Sequence, residues 1–85
     1  MECYFKPTAL HDLERLPKEI RRKIIERIAI YAKSNAPLAF AKRLKGNEFG
    51  EFRFRIGDYR VVFDVDRKRD AIVILAVGNR KDIYR

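Results

Sequence analysis

Two short segments of alternating sequence, separated by only two residues, constrain the fold of this chain more than any other feature. Residues 52–56 alternate apolar side chains with arginine, and residues 59–65 again place an apolar side chain at every second position. Alternation over about 4–8 residues is typical of half-buried β-strands. Gly57-Asp58 lies between the segments and suits a type II′ turn, which takes glycine at its first central position. The sequence therefore predicts a β-hairpin.

A two-residue turn fixes which residues of this hairpin pair. Ile56 then faces Tyr59, and the pairs that follow are Arg55–Arg60, Phe54–Val61, Arg53–Val62 and Phe52–Phe63. The apolar pairs fall on one face, so Arg53, Arg55 and Arg60 share the other, which we call the arginine face. Like charges directly opposite each other destabilise a strand pair. A bound phosphate would explain why Arg55 and Arg60 face each other. The alternatives are a solvated polar face, neutralisation by Asp64 or Glu51, or a turn of another length.

Helical spacing precedes the hairpin. Ile20, Ile24 and Ile28 recur at every fourth position, which indicates an amphipathic helix with Ile25 widening its apolar stripe. The expected elements are a strand at 2–6, a helix at 8–16 capped by Thr8, a second helix that begins at Pro17, a short helical turn within 38–44, the hairpin, and a central strand at 71–77. This order predicts one α+β domain over residues 1–85, in which an N-terminal strand and a two-helix hairpin precede a three-stranded antiparallel meander, with the helices packed on one face.

The charge of the chain points to a polyanionic partner. Twenty Lys and Arg against twelve Asp and Glu give a net charge of +8, and arginine outnumbers lysine after residue 41. Arginine presents a planar fork of donors that suits phosphate oxygens. The alternative is the generally high surface charge of thermophile proteins. One cysteine, Cys3, and one histidine, His11, argue against a disulfide or a zinc site. We expect no metal, no small-molecule cofactor, no membrane association and a cytoplasmic location.

Further basic and aromatic residues extend the candidate site. Arg80 follows the predicted central strand, so it should emerge at an end of the sheet. Tyr84 offers a ring on which a base can stack, or it packs at the C-terminus. The residues expected to act mainly as surface charge, with a minor role in attracting RNA, are Lys42, Arg43 and Lys45.

Three segments of the chain resemble the RelE/ParE superfamily of bacterial and archaeal toxins, on the RelE side. They are Lys42–Gly46 (KRLKG), Gly57–Phe63 (GDYRVVF) and Val77–Arg85 (VGNRKDIYR). The resemblance covers nearly the whole chain and implies a RelE-like fold. It also implies a ribosome-dependent endoribonuclease that cuts mRNA in the A site, where the 2′-hydroxyl attacks the adjacent phosphate. The implied partners are the ribosome with its mRNA and a small acidic antitoxin.

The resemblance also assigns roles to residues. Arg60 matches the arginine that stabilises transition-state charge, Arg80 the one that binds phosphate and protonates the leaving group, and Tyr84 the terminal tyrosine that orients the mRNA. Arg53 and Arg55 stand where well-known relatives have lysine. Asn79 stands where many have histidine, and because asparagine cannot shuttle protons near neutral pH, we expect weaker, electrostatic catalysis. The competing hypotheses are a ParE-like inhibitor of DNA gyrase and a member that acts only in an antitoxin-bound repressor complex.

Overall fold

The computed structural model describes residues 1–46 and 49–81 and places two α-helices against one mixed sheet, so the predicted α+β class is confirmed. The elements are β1 (Glu2–Phe5), α1 (Pro7–Glu14), α2 (Lys18–Lys33), a 3-10 helix (Pro37–Phe40), β2 (Ala41–Arg43), β3 (Phe52–Ile56), β4 (Tyr59–Asp66) and β5 (Ala71–Asn79). In the described part of the chain, neither helix combines the length and apolar character needed to cross a membrane.

The strands lie in the order β1-β5-β4-β3-β2. The predicted meander of β3, β4 and β5 is confirmed, and each of its strands runs antiparallel to the next. β1 pairs in parallel with the first half of β5, so that half has a neighbour on both sides, as its apolar sequence predicted. The segment expected to form only a helical turn forms the 3-10 helix and then β2, which pairs with β3.

The hairpin register agrees with the sequence at every position. Ile56 pairs with Tyr59, Arg55 with Arg60, and the remaining pairs follow as predicted. Gly57 has a positive φ of 60° whereas Asp58 does not. A positive φ at the first central residue alone is the signature of a type II′ turn, which explains why glycine is needed there.

The helices differ from the prediction at their first residues. α1 begins at Pro7, whose fixed φ suits the first helical position. Thr8 is therefore inside the helix, and its hydroxyl donates to the Leu75 carbonyl oxygen at 2.8 Å instead of capping α1. α2 begins at Lys18, immediately after Pro17. The predicted apolar stripe of α2 is buried at Ile24 and Ile28, whereas Ile25 is exposed.

The core lies between the helices and one face of the sheet, which we call the helix face. Ile24, Ile28 and Ala32 of α2 are buried together with Ala9 and Leu13 of α1. The apolar residues of the hairpin and of β5 complete this cluster. The opposite side of the sheet is the arginine face, which carries the arginines of the hairpin and also buries Val62.

A β-bulge in β5 determines how α1 meets the sheet. The register shifts so that Ile74 pairs with Phe63 while Ala76 pairs with Val62, and Leu75 is the extra residue. β1 has ended by this point, so the second half of β5 lacks a strand on that side. Thr8 binds the Leu75 carbonyl, and Asp12 accepts the Val77 N–H at 3.0 Å. Side chains of α1 thus replace part of a missing strand.

Candidate nucleic-acid interface

Four basic side chains of the hairpin region share the arginine face. Arg55 pairs directly with Arg60, and Arg53 lies two residues before Arg55 on β3. Lys42 of β2 pairs with Arg53, so it lies on the same face. Arg43 pairs instead with Phe52 and lies on the helix face, where its guanidinium carbon is 5.7 Å from the centre of the Phe52 ring. The structure therefore brings Lys42, Arg53, Arg55 and Arg60 together and separates Arg43 from them.

Arg60 is buried, which the alternating pattern did not predict. Only 5% of the residue is exposed, and its Nη1 donates to the Tyr59 carbonyl oxygen at 3.3 Å. Its partner on β5 is Gly78, where the absence of a side chain leaves room for a long neighbour to lie across the sheet. A guanidinium held in this way keeps its charge in a fixed place and in a less polar surrounding than water, where its interactions are stronger.

The acidic residues next to the arginine face bind the backbone. Asp64 accepts the Glu51 N–H at 2.9 Å, and Glu51 accepts the Val65 N–H at 2.9 Å and pairs with Arg67. The pKa of Glu51 is lowered, chiefly by the hydrogen bond from Val65 and then by the nearby charge of Arg67. Their established partners are therefore backbone amides and Arg67, and these contacts hold the loop before β3 against the sheet.

This loop packs its backbone directly onto the sheet at Gly50. A β-carbon added to Gly50 would lie 2.5 Å from Val62 Cγ1 and 3.2 Å from Leu75 Cδ1. The loop is further tied by a hydrogen bond from the Leu44 N–H to the Glu51 carbonyl oxygen at 2.9 Å. Phe49, the residue before Gly50, remains half exposed. The only sequence signal for this exposed ring was the presence of a phenylalanine within a short polar stretch.

The end of the sheet beside the hairpin turn forms an open groove of about 810 Å³. Its walls come from α1, from the loop before β3 and from the ends of β4 and β5. The lining includes Asp12, Arg15, Phe49, Tyr59, Asn79 and Lys81. The groove thus joins the exposed ring of Phe49 to the polar end of β5.

Asn79 and Arg80, the predicted site residues at the end of β5, have different surroundings. Asn79 pairs with Tyr59 on the helix face, lines the groove, and accepts the Lys81 N–H through its side-chain oxygen at 3.1 Å. Arg80 is exposed, and its N–H donates to the Asp58 carbonyl oxygen at 3.2 Å. Arg80 follows the last residue of β5 and lies in a turn, two residues beyond Gly78, the strand partner of Arg60. Lys45 is exposed in the loop after β2, and Tyr84 lies outside the described residues.

Comparison with known proteins gives consistent relatives. Residues 4–84 match the family described as the ParE toxin of the type II toxin–antitoxin system parDE. Toxin RelG of Mycobacterium tuberculosis is 38% identical over 81 residues, which cover 95% of this chain and 92% of that protein.

Solved structures agree with the sequence comparison. The fold is similar to the toxin–antitoxin complex RelBE2 of Mycobacterium tuberculosis, with a TM-score of 0.80, 34% identity, and coverage of 95% of this chain and 92% of that one. It is also similar to the RelB–RelE antitoxin–toxin complex of Methanococcus jannaschii, with a TM-score of 0.72, 31% identity, and coverage of 95% and 94%.

Proposed function

This chain belongs to the ParE toxin family within the RelE/ParE superfamily of type II toxins, and from that premise we propose that it cuts mRNA as a ribosome-dependent endoribonuclease. The relatives at 33% and 38% identity are RelE and RelG toxins. The observation that carries the proposal is the direct pairing of Arg55 with Arg60, with Arg53 and Lys42 on the same face. Four positive side chains in adjacent strand positions fit a phosphodiester backbone.

The proposed chemistry needs charge more than it needs a general base. The 2′-hydroxyl of one nucleotide gives up its proton to solvent as its oxygen bonds to the adjacent phosphorus, the bond from phosphorus to the 5′-oxygen breaks, and that oxygen takes up a proton. The products are a 2′,3′-cyclic phosphate and a 5′-hydroxyl. Negative charge builds on the phosphoryl oxygens in the transition state, and donors fixed in advance stabilise it without reorganisation. Buried Arg60 has this role, with Arg53 and Arg55 binding the strand.

The end of β5 supplies the second group of residues. Arg80 binds phosphate and protonates the leaving group, in line with the resemblance of this segment to RelE toxins. Asn79 orients the substrate by hydrogen bonding and does not transfer a proton, so the ribosome and the RNA itself contribute much of the geometry. Tyr84 orients the mRNA. Lys42, Lys45 and Arg43 add long-range attraction for the RNA.

We also infer that a cognate antitoxin of acidic character holds this toxin inactive. The similar structures are complexes of toxins with antitoxins, and a net charge of +8 favours an acidic partner. Leu10 of α1 and Ile30 of α2 are exposed and apolar, which suits packing against a partner. If a neighbouring gene encodes a small acidic protein, co-expression with it should yield a stable complex that lacks RNase activity.

Cell-free translation with the purified toxin tests the enzymatic proposal. Primer extension should map mRNA cuts in phase with codons and only when ribosomes are present. Arg60→Met removes the charge but keeps an apolar stem, and we expect it to lower the cutting rate about 100- to 1000-fold, the cost of one fixed transition-state donor. Arg80→Ala should have a similar effect, whereas Arg27→Ala, an exposed arginine of α2, should cut like the wild type.

Binding to RNA gives an independent measurement. About four phosphate contacts on a single strand predict a log–log salt slope of roughly −3. A slope near zero would contradict the phosphate-binding role of the arginine face. Thermal unfolding of each variant separates loss of activity from loss of folding.

The family name keeps one other function under consideration. The matched family is described as the ParE toxin, and the ParE branch inhibits DNA gyrase without enzymatic activity. Accumulation of cleaved DNA–gyrase complexes, together with no mRNA cuts in translation extracts, would support that function and contradict ours.

A further inference from the structure

The exposed ring of Phe49 lies directly before a segment that is bound to the sheet. Phe49 is 49% exposed, and isolated exposed apolar residues are common on protein surfaces. The two residues that follow it, however, are fixed. Gly50 packs directly against Val62, and the backbone and side chain of Glu51 bind Leu44, Asp64 and Val65. A ring that adjoins a fixed backbone segment loses less conformational freedom on binding a ligand than one on a free loop.

The position of this ring suits a nucleotide. Phe49 lines the groove together with Tyr59 and Asn79 at the end of the sheet. Gly50 lies over Val62, and Val62 follows Arg60 by two residues on β4, a separation of roughly 7 Å. Because Phe49 directly precedes Gly50, a base stacked on its ring would lie beside the part of β4 that carries the arginine face.

Charge in the groove favours an anionic ligand. Arg15 and Lys81 are both in its wall. The acidic residue there, Asp12, has its Oδ2 engaged by the Val77 N–H at 3.0 Å. Aromatic side chains beside basic grooves are the usual means of binding single-stranded nucleic acid, because every base has a face that can stack.

We propose that Phe49 stacks on one base of the mRNA and helps to set which phosphodiester meets the arginine face. This proposal rests on the proposed function but can fail independently of it. It makes Phe49 a specificity-determining residue, whereas the arginines carry the chemistry.

A single tryptophan gives a direct test, since the chain has none. Phe49→Trp fluorescence should be quenched when a single-stranded oligoadenylate is added, because a stacked base quenches the indole. Phe40→Trp is the matched control. Phe40 is also half exposed, at 50%, but it stacks on Tyr31 on the helix face with ring centres 4.4 Å apart, so its fluorescence should not change.

Affinity for the same RNA separates stacking from general apolar contact. Phe49→Ala and Phe49→Leu should both bind about 5- to 150-fold more weakly, the range expected for one base–aromatic stack. Phe49→Tyr should keep wild-type affinity because it keeps the ring. Equal affinity for the leucine variant and the wild type would overturn the proposal.

Cleavage mapping distinguishes the failure of this proposal from failure of the enzymatic one. If the wild type cuts mRNA on ribosomes and Phe49→Ala changes the cut positions or their relative strength, the proposal is supported. If the two proteins cut identically, it is overturned and the enzymatic function stands.

If the wild type does not cut, the fluorescence result decides: quenching supports RNA stacking without cleavage, and no quenching overturns the stacking proposal. A tryptophan signal that responds to a co-purified antitoxin but not to RNA would assign the ring to a protein interface and overturn it too.

Discussion

Replacing Gly50 by a larger residue should destabilise the fold, because the backbone of Gly50 packs against the arginine face. The β-carbon of an alanine there would lie 2.5 Å from Val62 Cγ1, and Val62 is fully buried between its neighbours. Gly50 does not have a positive φ, so alanine would otherwise stabilise the fold by about 0.4–1 kcal/mol by restricting the unfolded chain. Overpacking costs about 1–3 kcal/mol. Gly50→Ala should therefore lower the free energy of unfolding by about 1.3 kcal/mol, the middle of a range of about 0–2.6 kcal/mol.

A double-mutant cycle identifies the cause of this loss. Val62→Ala alone should cost about 2 kcal/mol, from two buried methyl groups at about 0.8 kcal/mol each and a cavity contribution. In the double variant the new methyl group of residue 50 occupies part of the space that Val62 vacates. We expect the double variant to be about 1–2 kcal/mol more stable than the sum of the single changes predicts.

Urea unfolding followed by far-UV circular dichroism measures all four proteins. Each kcal/mol should also shift the melting temperature by about 4–8 °C in a domain of this size. If Gly50→Ala is as stable as the wild type, the loop does not pack tightly on Val62. If the two changes add, the loss comes from elsewhere in the loop.

Three further predictions concern groups away from the arginines. Asp12→Ala should destabilise the fold by about 1–2 kcal/mol because the Val77 N–H loses its acceptor, while Asp12→Asn should keep most of the stability in urea unfolding; equal losses would contradict this. The lowered pKa of Glu51 means that its ionised form stabilises the fold above its ordinary pKa of 4.5 and that this contribution is lost as the pH falls through the lower folded-state pKa. The stability difference between wild type and Glu51→Gln should therefore shrink between pH 6 and pH 3, and a constant difference would refute it. Burial raises the pKa of the Cys3 thiol to about 11, so its alkylation at pH 8 should be about a hundredfold slower in the native protein than in urea; equal rates would show that the thiol is not shielded.

The sequence predicted the hairpin in full because its information is local. Gly57 determines the turn, and the facing pairs from Ile56–Tyr59 to Phe52–Phe63 agree on one face only in that register. A wrong register would have exposed half of these side chains. The three arginines of the arginine face were located by the same argument, before any tertiary contact was known.

Features that depend on distant contacts were missed. β2 has only three residues, Ala41–Arg43, too few for alternation to be recognised, and it forms because β3 offers it an edge. Thr8 looked like a helix cap, but the bulge at Leu75 presents a carbonyl oxygen that its hydroxyl binds. Arg60 is buried beside Gly78, its partner in another strand, and such a pairing cannot be read from the hairpin sequence alone. Phe49 became a candidate only once Gly50 was seen packed on the sheet.

The parallel pairing of β1 with β5 has a consequence for the life of the protein in a cell. Glu2 pairs with Ala71 and Phe5 with Ile74, so the earliest strand to leave the ribosome must wait for the last strand before it finds its partner. Arg60 and Gly78 also belong to β4 and β5, which must pair before the arginine face is complete. Sheets closed by distant segments form late and comparatively slowly. A nascent chain therefore lacks a complete arginine face until synthesis has passed β5.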